Sequence, residues 1–307
     1  MLMQHVQTQL YRIRSFNDKF TDTMNFLRQE WKPLLIFLTY FLLPLCLVQA
    51  LALPDLFSAG SLAGNTDTSS RLMISMGFFG LCAFLGEIFV ISIVYSLMRI
   101  HYFRPEGSAG LTFRTFWPDM RKSIGRAVLL MLLVTGLALL AVGIFVLFVV
   151  VTAKLSLFMI IVDMLILPAL LVLALPLALA MPRALLTDEG IWTALKNGYR
   201  LGWKTLGGVL AIYIVLYFIV GLVQSICSMP AMVFMFLDML SGLGEDIPFA
   251  DNPLYHFAEY LSNILYSFVN YAGAAVLLVG TGIQYGHAAE KIDGVTAEES
   301  ITAFDTL

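Results

Sequence analysis

Three polar side chains that can carry a charge or a strong hydrogen bond interrupt apolar stretches of the sequence. Glu87 and Asp163 are carboxylic acids, and Asn270 is an amide. Each lies in an apolar run of about 20 residues, the length that crosses about 30 Å of hydrocarbon. A carboxylate within lipid costs about 3 kcal/mol on insertion scales and is therefore a candidate for proton or ion binding.

The depths of these side chains decide which of them can meet. At a rise of about 1.5 Å per residue, Glu87 lies roughly 22 Å below the outer end of its run and Asp163 about 12 Å. Asn270 lies at about the same depth as Asp163, which predicts a hydrogen bond between Asp163 and Asn270. Two interpretations stay open: a proton- or ion-coupled transport site, or acids that hold neighbouring helices together.

Other residue types that often carry chemistry lack the required spacing. Cys46, Cys82 and Cys227 form no CxxC pair, which indicates small apolar packing residues. The histidines are scattered without metal-ligand spacing. The stretch "GTGIQYG" follows an apolar run rather than a strand, so it does not indicate a nucleotide site.

No constellation typical of an enzyme is present. We find no Ser/His pair, no HExxH and no paired carboxylates, and we expect no catalysis, no metal, no cofactor and no nucleic-acid partner. Acidic residues between positions 229 and 261 lack the spacing of a calcium loop and indicate a solvated acidic cap. These residues are Glu245, Asp246, Asp251 and Glu259.

The elements that must position these side chains are transmembrane helices. Hydrophobic residues make up 59% of the 307 residues and charged residues 13%, with a mean hydropathy of +0.85. Soluble domains carry about 25% charged residues. We therefore predict an all-α polytopic membrane protein with six spans and short cytoplasmic-face amphipathic helices. The predicted spans cover residues 33–53, 72–98, 127–152, 155–181, 205–228 and 262–285.

The distribution of cations predicts the orientation. If the N-terminus is cytoplasmic, all 18 Lys and Arg residues except Arg71 and Lys154 fall on the cytoplasmic side. Both termini are therefore predicted to be cytoplasmic. The predicted domains are an interfacial helix at 1–32, a membrane domain at 33–286 and an acidic tail at 287–307.

The first, third and fifth spans are each preceded by aromatic and basic residues at helical spacing, twice ending in Trp-Lys. Such segments lie in the headgroup plane with cations toward anionic lipid. Three parallel repeats, each an interfacial helix followed by a pair of spans, would give this pattern. The alternative is that any span running from the cytoplasm to the outside has aromatic and basic anchors at its cytoplasmic end. The residues that define the basic belt are Arg12, Arg14, Trp31, Lys32, Arg121, Lys122, Arg126, Lys196, Arg200, Trp203 and Lys204.

Two further segments are predicted outside the spans. The stretch "MPAMVFMFLDML" (229–240) is too short to span and is predicted to be an interfacial or re-entrant helix. The C-terminal tail carries Asp293 and other acids, which can dock on the basic belt or on a partner. The sequence leaves both options open.

Two stretches resemble a broad set of uncharacterised bacterial multi-pass proteins, which includes the membrane domain attached to some glycerophosphodiester phosphodiesterases. They are "MPRALLTDEGIWTALKNGYRLGWKTLGGVLAIYIVL" (181–216) and "IQYGHAAEKIDGVTAEESITAFD" (283–305). The resemblance implies six spans with cytoplasmic termini in the bacterial cytoplasmic membrane. Nothing here resembles the phosphodiesterase domain, so no catalytic residue is carried over.

The function predicted from these patterns is non-catalytic. We expect an integral membrane protein that organises lipids with anionic headgroups, or partner proteins, through the basic belt. The alternative is a small ion- or proton-coupled transporter that uses Glu87 or Asp163. An intramembrane enzyme is the least favoured class, because no catalytic arrangement is visible.

Overall fold

The computed structural model describes residues 9–57, 66–104, 107–108, 110–152, 165–166, 168–170, 172–242 and 252–296. Within these ranges the regular structure is helical and includes no strand. A short 3-10 helix, Leu175–Leu179, precedes α5. The α-helices are α1 (Phe16–Gln49), α2 (Leu53–Phe57), α3 (Thr66–Phe103), α4 (Phe113–Thr152), α5 (Ala180–Leu186), α6 (Ile191–Lys204), α7 (Leu206–Gly242) and α8 (Pro253–Asp293).

Six of the helical segments are long and apolar enough to cross a membrane, so the predicted all-α, six-span fold is confirmed. Helices bond every interior backbone group within the segment, which is what lipid requires. Large apolar side chains such as Leu139, Ile144 and Val150 are exposed along α4. A bilayer would cover that surface, and the chain is a multi-pass membrane protein. The segments are Phe16–Gln49, Leu72–Phe103, Phe113–Thr152, Pro168–Leu186, Leu206–Leu240 and Pro253–Asp293.

Several helices continue well past the predicted span ends. Helix α8 has 41 residues, about 61 Å at 1.5 Å per residue and twice the thickness of the hydrocarbon layer. The predicted separate interfacial helices before the first and third spans are wrong, because those residues form the first turns of α1 and α4. Pro33 and Pro118 lie inside these helices. Each proline removes only one backbone hydrogen bond, which a long packed helix tolerates.

The same correction applies to residues 229–240. They extend α7 to Gly242, with Pro230 inside the helix, and do not form a separate re-entrant helix. The connection around Lys154 between the third and fourth predicted spans lies outside the described residues, as do Glu245, Asp246 and Asp251 of the predicted acidic cap.

The fourth span changes helix type at a proline. Pro176 lies in the 3-10 helix Leu175–Leu179. The α-helix resumes at Ala180. A proline ring cannot fit against the preceding turn of an α-helix, whereas the first positions of a new turn accept it.

The chain divides into two compact units. Unit 1 comprises Met1–Gln29, Tyr95–Ile214 and Leu278–Leu307, and unit 2 comprises Glu30–Val94 and Val215–Leu277. In unit 1, a core of small and aliphatic side chains joins α4, α5 and α6. In unit 2, Gly86 of α3 makes room for the ring of Tyr271 of α8, because a Cβ at Gly86 would lie 2.3 Å from the Tyr271 ring carbon Cζ.

Candidate functional site

Helix α6 in unit 1 is a short amphipathic helix whose apolar face is packed on protein. Its buried residues are Ala194, Leu195, Gly198, Leu201 and Gly202. A Cβ at Gly198 would lie 2.5 Å from the Cα of Ala180, so the two backbones are in direct contact. The sequence predicted that this segment lies in the headgroup plane. The structure instead buries Leu195 against α4 and α5.

The opposite face of α6 is aromatic and cationic. Trp192, Lys196, Tyr199 and Trp203 follow one another at spacings of four, three and four residues, which aligns them on one side of a helix. Trp192 is 66% exposed and Trp203 49%. The rings of Tyr199 and Trp203 stack, with 6.4 Å between centroids. We call these four residues, with Lys204, the aromatic–cationic face.

The lysines of this face carry free charges. Within the described ranges, neither Lys196 nor Lys204 forms an ion pair or a hydrogen bond through its side chain. Arg200 on the same helix differs, because its Nη2 donates to Asp293 at 2.5 Å. An ammonium without a carboxylate partner is available to an external anion.

A cluster of ion pairs supports α6 from its flank. The Arg183 guanidinium donates to Glu189 at 2.6 and 3.1 Å and to Asp293 at 3.0 Å. Asp293 also accepts from Arg200, so the C-terminal end of α8 is bound to both arginines. Of the two options left open for the acidic tail, the structure therefore shows Asp293 docked on a residue of the basic belt.

A second carboxylate beside α6 binds two cations. Asp188 accepts from Lys122 at 2.8 Å and from Arg99 at 3.1 Å. These bonds hold the pKa of Asp188 below its ordinary value. The Arg183 guanidinium likewise lowers the pKa of Glu189. Both acids are therefore charged at neutral pH, and Asp188 is a partner of Lys122 in the basic belt.

The N-terminal arginines of the belt have internal partners. Arg14 is buried, and it donates to Asp22 at 2.6 Å and to the carbonyl oxygens of Gln9, Leu10 and Arg12. Arg12 donates to the same carboxylate at 3.0 Å. The prediction that Arg14 faces lipid headgroups is wrong, because protein acceptors surround its guanidinium.

The rest of the belt is divided between bound and available cations. Arg126 donates to the carbonyl oxygens of Ala184 and Glu189. Arg121 is exposed and forms no ion pair among the described residues. In unit 2, the Lys32 ammonium lies 5.6 Å from the ring centroid of the exposed Trp31.

The predicted intramembrane acids and amide lie in unit 2 or outside the described residues. Glu87 of α3 is half-buried and forms no hydrogen bond or ion pair within the described ranges. The Asn270 amide donates to the Tyr266 carbonyl of its own helix at 2.7 Å. Asp163 lies outside the described residues, and so does the predicted contact between Asp163 and Asn270.

Sequence reasoning missed an acidic cavity in unit 2. Asp238 of α7 accepts from the Tyr255 hydroxyl at 2.9 Å, and Glu259 lies 3.5 Å from the His256 ring nitrogen Nδ1. The cavity measures about 420 Å³. The available signal was the spacing of His256 and Glu259, three apart on one helix. The lining residues are Ala50, Leu51, Pro54, Asp238, His256, Glu259 and Tyr260.

Among the described residues, no three His, Cys, Asp or Glu side chains cluster as metal ligands would. The free cysteines Cys46 and Cys82 are buried in unit 2. What the arrangement offers is an exposed cationic surface in unit 1 and, in unit 2, carboxylates that have a tyrosine hydroxyl and a histidine ring as partners.

The chain was compared with protein-family models, curated proteins and solved structures. No protein-family model, no curated protein and no solved structure matches the chain. The resemblance seen in residues 181–216 and 283–305 therefore stays a prediction.

Proposed function

We propose that the protein is a non-catalytic membrane protein that binds and organises lipids with anionic headgroups through the aromatic–cationic face of α6. The observation that carries this proposal is the pairing of exposed tryptophans with lysines that lack a carboxylate partner. Trp192 and Trp203 flank Lys196 on one side of the helix. Tryptophan favours the headgroup level, and a lysine near an anionic surface contributes about 1 kcal/mol.

The rigidity of α6 supports the same proposal. Its buried face is fixed by close backbone contact at Gly198, so the exposed face is held in one orientation. A preorganised surface loses little side-chain and backbone entropy when a ligand binds. The surface is then a docking site for several headgroups rather than a flexible basic segment.

The orientation that goes with this function is the predicted one, with both termini in the cytoplasm of a bacterial cell. The anionic leaflet that attracts basic segments faces the cytoplasm. Reporters fused to the C-terminus test this part of the proposal. A reporter that is active only in the cytoplasm supports the orientation, and one active only outside contradicts it.

The direct test counts bound lipids. The full chain is purified gently and placed in nanodiscs with phosphatidylglycerol or phosphatidylcholine, and retained lipids are measured by native mass spectrometry. We expect preferential retention of phosphatidylglycerol. Lys196→Gln should weaken this binding about fivefold, the equivalent of about 1 kcal/mol.

A matched control is available on the same unit. Lys122→Gln also removes one exposed cation, but Lys122 is engaged by Asp188. This variant should retain phosphatidylglycerol nearly as wild type does. Equal loss in both variants would show that only net charge matters, and the α6 surface would have no special role.

The second candidate is proton- or ion-coupled transport through Glu87. It is favoured by the lack of a hydrogen bond or ion pair for this half-buried acid within the described ranges. Carboxyl groups that join helices find partners, whereas carriers of ions must release them. In proteoliposomes with a pH-sensitive dye, wild type should then dissipate a proton gradient and Glu87→Gln should not. Equal fluxes for both proteins would remove this candidate.

A further inference from the structure

Lys19 is a buried cation without a carboxylate partner. It lies in the first turns of α1 in unit 1 and is 6% exposed. Its side chain forms no ion pair or hydrogen bond within the described ranges. A buried ammonium is costly unless it is paired. Lys19 therefore lies where an anion would be strongly favoured.

Gln284 of α8 presents a second unsatisfied group at the same place. Its amide nitrogen and its amide oxygen are both buried and have no hydrogen-bond partner in the part of the chain that the structure describes. Buried polar atoms in native proteins are nearly always bonded. The Gln284 amide can donate through nitrogen and accept through oxygen, so a ligand that does both would satisfy it.

Gly208 of α7 brings the two groups to one point. A Cβ on Gly208 would lie 2.9 Å from Nε2 of Gln284, 3.4 Å from its Oε1 and 3.4 Å from Nζ of Lys19. The Gln284 amide and the Lys19 ammonium therefore both pack against the backbone of Gly208, where a side chain would displace them. Gly207, the preceding residue, has nothing within 4 Å of its Cβ position.

The surrounding charges favour an anion. The charged groups that act on Lys19 are Lys291 and Arg14, both cationic. Arg14 is already saturated by Asp22 and backbone carbonyls, and its own N–H donates to Nδ1 of His287 at 2.9 Å. Gly208 is the third residue of α7, a 37-residue helix. The positive end of the helix dipole lies there.

We propose that Lys19, Gln284 and the first turn of α7 form a buried site for one phosphate group that carries a P–OH. The phosphate oxygens accept from the Lys19 ammonium and the Gln284 N–H, and the P–OH donates to the Gln284 carbonyl oxygen. Inorganic phosphate and a phosphomonoester lipid headgroup share this chemistry. Sulfate lacks the proton and is the weaker ligand. The site is separate from the surface of α6 and does not depend on the proposed function.

The test has one arm for each source of phosphate. The full chain is stripped of lipid in detergent and titrated calorimetrically with inorganic phosphate, then with sulfate. In the other arm it is placed in nanodiscs with phosphatidic acid or phosphatidylcholine, and retained lipids are counted by native mass spectrometry. Binding of inorganic phosphate over sulfate supports a free-ion site. Retention of phosphatidic acid alone supports a headgroup site.

Two neighbouring glycines supply a matched pair of variants. Gly208→Ala displaces the Gln284 amide and the Lys19 ammonium from their positions and should weaken binding by about tenfold to a hundredfold, the range of a charge-assisted hydrogen bond. Gly207→Ala should bind as wild type does. Lys19→Met should lose binding while remaining folded, because it replaces an unpaired buried charge with an apolar side chain.

Two results would overturn the proposed phosphate site. If wild type binds neither inorganic phosphate nor phosphatidic acid, the groups hold water only and the proposal is overturned. It is also overturned if Lys19→Met and Gly208→Ala bind as tightly as wild type. Loss of binding in Lys196→Gln would point to the α6 surface instead, so failure of this site and failure of the proposed function are distinguishable.

Discussion

In unit 1 the Arg183 guanidinium lies between two carboxylates, whereas in unit 2 Asp238 and Glu259 have a tyrosine and a histidine as partners. The acids of unit 1 are bonded to permanent cations, and those of unit 2 to groups that are neutral or titrate. Guanidinium–carboxylate pairs fix a surface in one charge state. Carboxylates beside neutral groups keep the ability to accept a proton or a cation.

The two units differ in how their charged side chains are partnered. In unit 1, ion pairs support α6, while other cations, such as Lys196, Lys204 and Arg121, form no ion pair among the described residues. Unit 2 has a cavity lined by acids and a half-buried Glu87. We infer that recognition of anions belongs to unit 1 and that any movement of cations would involve unit 2.

The largest expected effect is the loss of Arg183. Arg183→Ala leaves Glu189 and Asp293 without their shared cation, and breaking a mostly buried pair costs about 3–5 kcal/mol. The free energy of unfolding in mixed detergent micelles measures this. Arg121→Ala, which removes an exposed and unpaired guanidinium, should change it by about 0.5 kcal/mol or less. Similar losses in both would mean that the cluster around Arg183 is not structural.

Helix packing gives the next largest effect and compares the units directly. Gly198→Ala in unit 1 drives a methyl group into the backbone of Ala180, and Gly86→Ala in unit 2 drives one into the Tyr271 ring. We expect a cost of about 3 kcal/mol for Gly198→Ala and about half of that for Gly86→Ala, because a ring can rotate and a helix backbone cannot. Unfolding measurements on both variants test the order.

The control for this pair is Gly80→Ala. Gly80 lies on α3, as Gly86 does, and its Cβ position has no atom within 4 Å. Alanine is the better helix former, so this variant should be neutral or more stable by up to about 1 kcal/mol. A marked loss of unfolding free energy in Gly80→Ala would show that α3 does not tolerate an alanine even where there is space for it. The comparison between Gly198 and Gly86 would then have no basis.

A smaller effect is expected at the acidic cavity. Tyr255→Phe removes the hydroxyl that donates to Asp238 at 2.9 Å. Loss of a hydrogen bond to a carboxylate costs about 1–2 kcal/mol. Phe257→Leu, at an exposed site on the same helix, is the control. If Tyr255→Phe is as stable as its control, the tyrosine does not hold the two helices at the cavity.

The smallest effect is the pH dependence of unit 1. The pKa of Glu189 in the folded protein is below its ordinary value of 4.5, because Arg183 stabilises the charged form. As the pH falls, the unfolded chain takes up this proton first, so the stabilisation is present above about pH 4.5 and is lost below it. Thermal unfolding between pH 3 and 6 should show this loss in wild type, and Glu189→Gln should show a shallower decline. Parallel curves would contradict the assignment.

The membrane spans could be predicted from the sequence, whereas the contacts between helices could not. Apolar runs predicted all six helices, since length and composition decide what can cross lipid. The ends of α1, α4 and α7 were not predicted, because the predicted spans follow the apolar runs, whereas these helices continue beyond them. The hydropathy of a short stretch does not show whether the helix extends into the residues on either side of it.

The candidate sites depend on partners distant in the chain. Arg183 and Asp293 are 110 residues apart, and no local motif links them. The sequence identified Lys196, Trp203 and Lys204 as a surface, because aromatic and basic residues at helical spacing are a local signal. It could not identify Lys19 or Gln284 as a site, since their lack of partners is a property of the fold.

The most direct test of the central claim asks whether the aromatic–cationic face of α6 lies among lipid headgroups. A variant with Trp31→Phe and Trp117→Phe retains only Trp192 and Trp203 of the four tryptophans. In vesicles, bromine atoms near the ester linkage of anionic lipids should quench their fluorescence more strongly than bromine atoms at the chain ends, and iodide in the water should quench weakly. Strong quenching by iodide with no effect of either brominated lipid would contradict the account.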